Sequence, residues 1–515
     1  AETAPRRTRR WPRPLRQLAS AGVTGVLMLG ILSLWGLTRS PAAPVAQPTA
    51  VFIEPVGGDQ ESAALAEMLR GQVVNHLQEM TALRVVAEAG ADPTARDQGF
   101  IVKGNLLGMA GEYRGSFQLV DGETGTTLAG TSLDGSDAEL PEALDAMARS
   151  LAQFVRREVG NALEERRLLE ASVPQPAITA VALGQQDMAL GDSLWQHYSD
   201  DPALAAYQKA DSMFAEAIRL EPGWDLPWIG RAEAAYRLMW VERRKEEGSR
   251  EVEGALAERG IQFAGEAISR DPDQAESLEL RALLHQWIWL LSQPDPTGQS
   301  AEILARAEED ARRATALDPY RARAWNVLGG ALLYRGEWAE AYWALRRAVA
   351  ADTHLQNDTE IVSRLFTAAW ESGNAEGARA WCQLLEERQE NGWPAVSCRM
   401  HLMADADTPD LQRVEALRRK ATNWPYWPSV AAEFDALAAV LHARAGELGA
   451  AREILSRIPR APGNVEAFYM EAWALLEMGE AEGARRRVAE YVDAYPAALS
   501  SILGSRRLQG LEGLD

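Results

Sequence analysis

The stretch "ARAWNVLGGALLYRGEWAEAYWALRRAVA", residues 322 to 350, limits the possible folds more than any other part of the chain. It is helical in composition, yet it keeps glycines at 329 and 336 and small alanines at 341 and 348 among large side chains. Counted from Ala322, Trp325 is position 4, Leu328 is 7, Gly329 is 8, Gly336 is 15, Ala341 is 20, Leu345 is 24 and Ala348 is 27. A glycine inside a helix costs about 1 kcal/mol relative to alanine. Its presence at 329 therefore implies a neighbouring helix closer than a Cβ would allow. Gly336 suits the left-handed residue that ends a helix. The spacing returns at Gly373, Ala378, Cys382 and Leu385, again at Gly446, Ala451, Leu455 and Ile458, and again at Gly479, Ala484, Val488 and Pro496. Ala210, Phe214, Ala217 and Pro222 mark an earlier copy, and Pro272 and Pro319 close two more.

This grammar resembles the tetratricopeptide repeat, a 34-residue helical hairpin. The resemblance implies seven or eight helix pairs between about 177 and 498, two of them with long inserts near "RRKEEGSREVEG" and "SQPDPTGQS" and an irregular unit around 395 to 428. One hairpin cannot bury its apolar face alone, so the units stack into a superhelical α-solenoid with a concave surface. In the family that surface usually takes peptides or protein partners, through first-helix positions near 2, 5, 9, 12 and 13. Those positions here hold Tyr236, Arg237, Trp287, Asn326, Tyr334, Trp370, Tyr469 and Trp473. Aromatic side chains bring large contact area at low entropic cost, which makes them good partner anchors. The competing reading is that the rings at positions 12 and 13 pack on the next repeat. The family's clamp for C-terminal carboxylates needs Asn and Lys, and its positions hold Val327, Gly330 and Tyr334, so the resemblance does not extend to that ligand class.

Ahead of the repeats, residues 17 to 38, "QLASAGVTGVLMLGILSLWGLT", carry no charge. As a helix this run rises about 30 Å, the thickness of a bilayer's hydrocarbon core. Six arginines precede it, against Glu2, and only Arg39 follows closely. The positive-inside rule then puts the basic tail, residues 1 to 16, in the cytoplasm and the rest of the chain outside it. The run exceeds the usual apolar core of a cleaved signal peptide, so an uncleaved inner-membrane anchor is expected. Ala21 and Gly25 form a small-xxx-small pair of the kind that lets membrane helices associate, which keeps a homo-oligomer as an option. Residues 39 to 50, rich in Pro and Ala, read as a spacer.

Residues 51 to 170 alternate strand and helix patterns. Val51 to Ile53 and Leu83 to Val86 read as strands, "GFIVKGNLLG" as a third, and "EYRGSFQLVD" with "TTLAGTSLDG" as a hairpin across "DGETG". Leu65, Met68, Leu69, Val73 and Leu77 mark one helix face, and Leu144, Met147, Leu151, Phe154, Val155 and Val159 another. The order resembles the TolB-like domain found in many bacterial membrane-anchored regulators, on "VFIEPVGG", "LAEMLRGQVVNHLQEMTALRVV" and "FIVKGNLLGMAGEYRGSFQLVDGETGTTL". It departs at Glu54, where that family usually has an apolar residue. The resemblance implies a structural module and carries over no site residues.

The expected fold is therefore mostly α: one transmembrane helix, a small α+β domain, an α-solenoid, and a tail from 499 to 515. Net charge is −21, and six arginines against one glutamate stand before the apolar run, so the body is more acidic still. Such a surface repels phosphate backbones and argues against direct nucleic-acid binding.

No catalytic, cofactor or metal residues are assigned. "GDSL" at 191 to 194 matches a hydrolase nucleophile block, but it lies in a helical pattern and no histidine has Asp three residues before it. Cys382, Cys398 and His401 lack a fourth ligand nearby for zinc, and buried thiols or one bridge are the alternatives. The function expected is a membrane-anchored, periplasm-facing scaffold that binds a protein or peptide. One alternative is the sensory part of a signalling receptor with a winged-helix or nucleotide-cyclase output domain upstream. The other, disfavoured, is an enzyme with an unrecognised site.

Overall fold

The computed structural model describes residues 49 to 511, except 59–61, 79–82, 87–98, 110–111, 137–139, 171–172, 246–248, 294, 296, 353–357, 390–391, 407–408, 423–426, 459–464, 495, 497–498 and 510. The expected membrane span and most of the spacer lie outside these residues. Among the described residues no helix is long and apolar enough to cross a membrane.

The small domain holds β1 (Thr49–Ile53), β2 (Gly57–Gly58), α1 (Ala63–Gln78), β3 (Leu83–Val86), β4 (Phe100–Met109), β5 (Glu112–Asp121), β6 (Thr127–Ser136) and α2 (Leu140–Glu170). The sheet order is β3-β1-β4-β5-β6, with β2 paired to β4. β1 runs parallel to β3 and β4, whereas β4, β5 and β6 form an antiparallel meander. Side chains alternate across a strand, so Phe117 and Leu119 turn inward on β5. The hairpin turn is closed by Asp121, whose carboxylate accepts the amides of Glu123 and Thr124. Leu69, Val73 and Leu77 of α1 and Leu144, Leu151, Val155 and Val159 of α2 cover Val51, Phe100 and Phe117 on one sheet face. Met68, expected on the buried face of α1, is 54% exposed. Leu69, Val73 and Leu77 at i, i+4 and i+8 claim the contact, and Met68 falls on the flank.

Eight helix pairs follow among the described residues. They are α3 (Gln175–Gln196) with α4 (Asp200–Leu220), α5 (Leu226–Arg244) with α6 (Arg250–Arg270), and α7 (Ala275–Leu291) with α8 (Ser300–Leu317). Then come α9 (Ala322–Arg335) with α10 (Trp338–Ala351), α11 (Thr359–Glu371) with α12 (Ala375–Gln389), and α13 (Trp393–Ala404) with α14 (Leu411–Ala421). The last are α15 (Trp427–Arg444) with α16 (Leu448–Arg457) and α17 (Val465–Glu477) with α18 (Ala481–Ala494), before a short α19 (Leu499–Gly504). Of the two insert-bearing segments, the first mostly lengthens helices and the second lies between α7 and α8. "RRKEEGSREVEG" carries α5 on to Arg244 and lets α6 begin at Arg250.

The small residues do what their spacing implies. Ala341 and Ala348 have no exposed surface. A Cβ on Gly329 would stand 2.5 Å from Leu345 Cγ, on the partner helix. Gly336 ends α9 at φ 75°, and Gly373, Gly446 and Gly479 sit at φ 80°, 82° and 78°. Gly329→Ala gains about 1 kcal/mol of helix propensity and incurs an overpacking penalty of about 1–3 kcal/mol. The expected net outcome is a loss of about 1 kcal/mol, measured as a lower urea midpoint.

Cys382 on α12 and Cys398 on α13, 16 positions apart in sequence, form a disulfide with Cα atoms 5.6 Å apart. This resolves the two readings of the cysteines: bridged sulfurs are not thiolate ligands. Closing a loop of this size stabilises by about 3 kcal/mol in the chain-entropy account. Cys382→Ser with Cys398→Ser is therefore expected to lower the melting temperature, and reductant to leave the double variant's melt unchanged.

Candidate partner-binding surface

The first helices of neighbouring pairs pack on one another from α3 to α17. At the small-domain end, α2 adds a wall to this row. Tyr320, in the turn before α9, is buried in the small domain's core, and its hydroxyl donates to the His76 carbonyl oxygen. Arg156 of α2 stacks 5.0 Å from the Tyr320 ring and pairs with Asp318 at 2.6 Å. Gln153 donates from its amide to the Ala351 carbonyl oxygen at 2.5 Å.

Between α2 and the inner faces of α3, α5, α7 and α9 lies an open cavity of about 520 Å³. Its walls are polar and carry both signs of charge. Arg237 holds Asp192 at 2.9 Å and Glu233 at 3.1 Å. Arg323 holds Glu233 at 3.2 Å and Glu279 at 3.0 Å. Arg321 holds Glu279 at 3.3 Å and Asp318 at 3.2 Å, and Asp318 meets Arg156. The result is one chain of alternating charge from α3 to α2. Burial pushes the Glu233 carboxyl up, but Arg323 and Arg237 overcome this and hold it at about 2. Burial works against the charge on Arg323, and Glu233 and Glu279 raise it well above its ordinary value. Gln185 on α3 lines the same cavity, and neither its amide nitrogen nor its oxygen has a hydrogen-bond partner.

The residues singled out from the repeat positions fall in separate places. Tyr236 and Arg237 lie on α5; Arg237 lines the cavity, and Arg323 stands 6.0 Å from the Tyr236 ring. Trp287 is 8% exposed, against Trp240 at 4.9 Å and beneath Arg243 at 4.7 Å. The Asn326 oxygen accepts from Arg364 at 3.0 Å. Tyr334 is 39% exposed, with its ring 4.1 Å from Trp289. Trp370, Tyr469 and Trp473 come together at the other end of the solenoid: the two indoles are 5.8 Å apart and buried, and Tyr469 donates to Glu371 at 2.8 Å.

The charge chain of the cavity was not singled out in the sequence. Glu233 and Arg237 at i, i+4, or Glu276 and Glu279 at i, i+3, look like any solvated helix face. The pairing of Arg323 with Glu233 spans 90 residues and leaves no local trace.

The GDSL residues lie within α3. A Cβ on Gly191 would stand 2.4 Å from the Tyr207 ring, and Asp192 accepts from Tyr207 and Arg237. The segment thus serves helix packing and the cavity wall. Among the described residues, no group of His, Cys, Asp and Glu is placed to hold a metal ion.

No family model matches the chain, and no curated protein does. Solved structures similar to it include a thermophilic TPR protein from Thermus thermophilus, 18% identical over 42% of this chain and 98% of that one, with TM-score 0.30. Another is the type IV pilus biogenesis factor PilW, 15% identical over 55% of this chain and 96% of that one, with TM-score 0.29. Yeast Tom70 is 11% identical over 62% of this chain and 87% of its own, with TM-score 0.30.

Proposed function

We propose that the chain is a membrane-anchored scaffold that holds a protein or peptide segment on the concave face of its solenoid, outside the cytoplasm. The observation that carries this reading is the open cavity between α2 and α3, α5, α7 and α9. A surface with fixed charges of both signs favours a polar segment with its own opposite charges, because complementary pairing selects partners and register. The amide of Gln185 is buried and unpaired in the cavity lining, and once turned into the cavity it would offer a donor and an acceptor to a bound backbone. For placement outside the cytoplasm, two features agree: the arginines ahead of residues 17 to 38, and the Cys382–Cys398 bridge, a kind of bond that persists in oxidising compartments.

A second reading, a receptor, is favoured by one observation. Helix α2 both forms a cavity wall and is fixed to the solenoid through Arg156 and Asp318. A partner in the cavity would therefore press directly on the small domain, which the TolB-like resemblance associates with regulators.

A photo-crosslinking amino acid at Gln185, in full-length protein in membranes, tests the scaffold reading. The expected outcome is a discrete adduct from Gln185 and none from Gln262, which is exposed on α6. Equal adducts from both positions would contradict it.

A further inference from the structure

At the far end of the solenoid, the chain's own C-terminal segment lies across the first helices. From α19 it passes the ends of α9, α11 and α13 and reaches α17. Trp338 donates to the Gly504 carbonyl oxygen at 3.2 Å. The Arg507 guanidinium lies 3.0 Å from the Trp370 ring centroid and 5.4 Å from that of Trp473. It also donates to Glu371 at 3.2 Å and to Asp405 at 3.0 Å. Ser505 meets Tyr469 at 2.5 Å and Glu371 at 3.3 Å. Leu508 and Leu511 are buried in the same cluster as the two indoles.

Those indoles hold groove positions of the repeat, and this segment helps to cover them. The seat has the composition of a peptide site: aromatic anchors, two carboxylates, and apolar contacts for Leu508 and Leu511 of the guest. A guanidinium over an indole with carboxylates at its edge is a pairing that lysine reproduces poorly.

We propose that Trp370, Trp473, Tyr469, Glu371 and Asp405 form a peptide-binding seat that Ser505 to Gln509 and Leu511 occupy in cis, and that its partner is a segment presenting arginine followed directly by leucine. The guest in place defines this chemistry, as Arg507-Leu508. The seat is separate from the cavity assigned above, on different helices, and its test does not depend on that assignment.

A fluorescein-labelled peptide with the sequence of residues 499 to 511 is titrated into the full-length wild type and into the full-length Arg507→Ala/Leu508→Ala variant. The variant is expected to bind at least tenfold more tightly than the wild type, and a peptide with alanine in place of Arg507 to lose at least tenfold on the variant. A variant that is folded by circular dichroism and takes up no more peptide than the wild type overturns the proposal. Native-state hydrogen exchange on the wild type covers the case of a variant that does not fold. The amides of Ser505 and Leu511 donate to the Ile502 and Leu508 carbonyls. They are expected to exchange at least tenfold faster than the helical amides of α11 and α17. Exchange of both sets at one common rate makes the segment a permanent cap and overturns the proposal.

Discussion

Arg321→Met is expected to destabilise the junction of α7, α9 and the small domain by about 3–5 kcal/mol, the usual cost of leaving buried charge uncompensated. Arg321 is 4% exposed and faces Glu276, Glu279 and Asp318, none more than 8% exposed. Burial works against its charge, and Glu279, Glu276 and Asp318 together outweigh that penalty. Methionine fills much of the same volume but leaves three carboxylates facing one another. Arg323 and Arg156 still pair with Glu279 and Asp318, which places the expected loss toward the lower end of the range. Solenoid stability is a sum of unit and interface contributions. The loss should therefore appear as faster hydrogen exchange in α7 and α9, with α17 and α18 unchanged. A change below about 1 kcal/mol in α7 and α9 would mean that the charge chain contributes little to the fold.

The second large effect is a dependence on pH through His401. Its ring is buried against Trp370 at 4.6 Å and Phe366 at 6.0 Å, and Nδ1 lies 2.8 Å from the Ser397 carbonyl oxygen, which assigns the proton to Nδ1. Burial lowers its pKa from 6.5 to about 4, with Arg507 adding to the shift and the Ser397 carbonyl and Asp405 opposing it. Above pH 6.5 the imidazole is neutral in both folded and unfolded chains, and this contribution to stability is fully present. Between pH 6.5 and about 4 the unfolded chain binds a proton that the folded one refuses, so stability falls as pH falls. The span from 6.5 to about 4 corresponds to a loss of about 3 kcal/mol. His401→Gln is expected to flatten this slope in urea unfolding measured from pH 7 to pH 4. An unchanged slope would assign it to other groups.

The sequence carried the repeat frame because that frame is local. Gly329, Gly336, Ala341 and Ala348 are fixed by contacts within one hairpin, so spacing alone indicates which must be small and which left-handed. The sheet order of the small domain is legible for the same reason from β4 to β6, where strands adjacent in sequence pair antiparallel. The candidate site is legible only as a face. The repeat frame singles out Trp370 and Trp473, but what covers them comes from contacts far apart in sequence. The stacking brings Tyr469 to Glu371, 98 residues earlier, and lays Arg507 on both indoles. The cavity's charges were hidden by the same cause. Asp192, Glu233, Glu279, Arg321 and Arg323 each resemble solvated surface until four helices converge on them.

The central claim is that a partner is held inside the curve of the stacked hairpins. Hydrogen–deuterium exchange on the full-length chain, with and without the partner recovered by crosslinking at Gln185, tests it most directly. Slower exchange is expected in α3, α5, α7 and α9 and in the cavity-facing part of α2, with α4, α6 and α8 unchanged. Protection confined to α4, α6 and α8 would put the partner on the convex side and contradict the account.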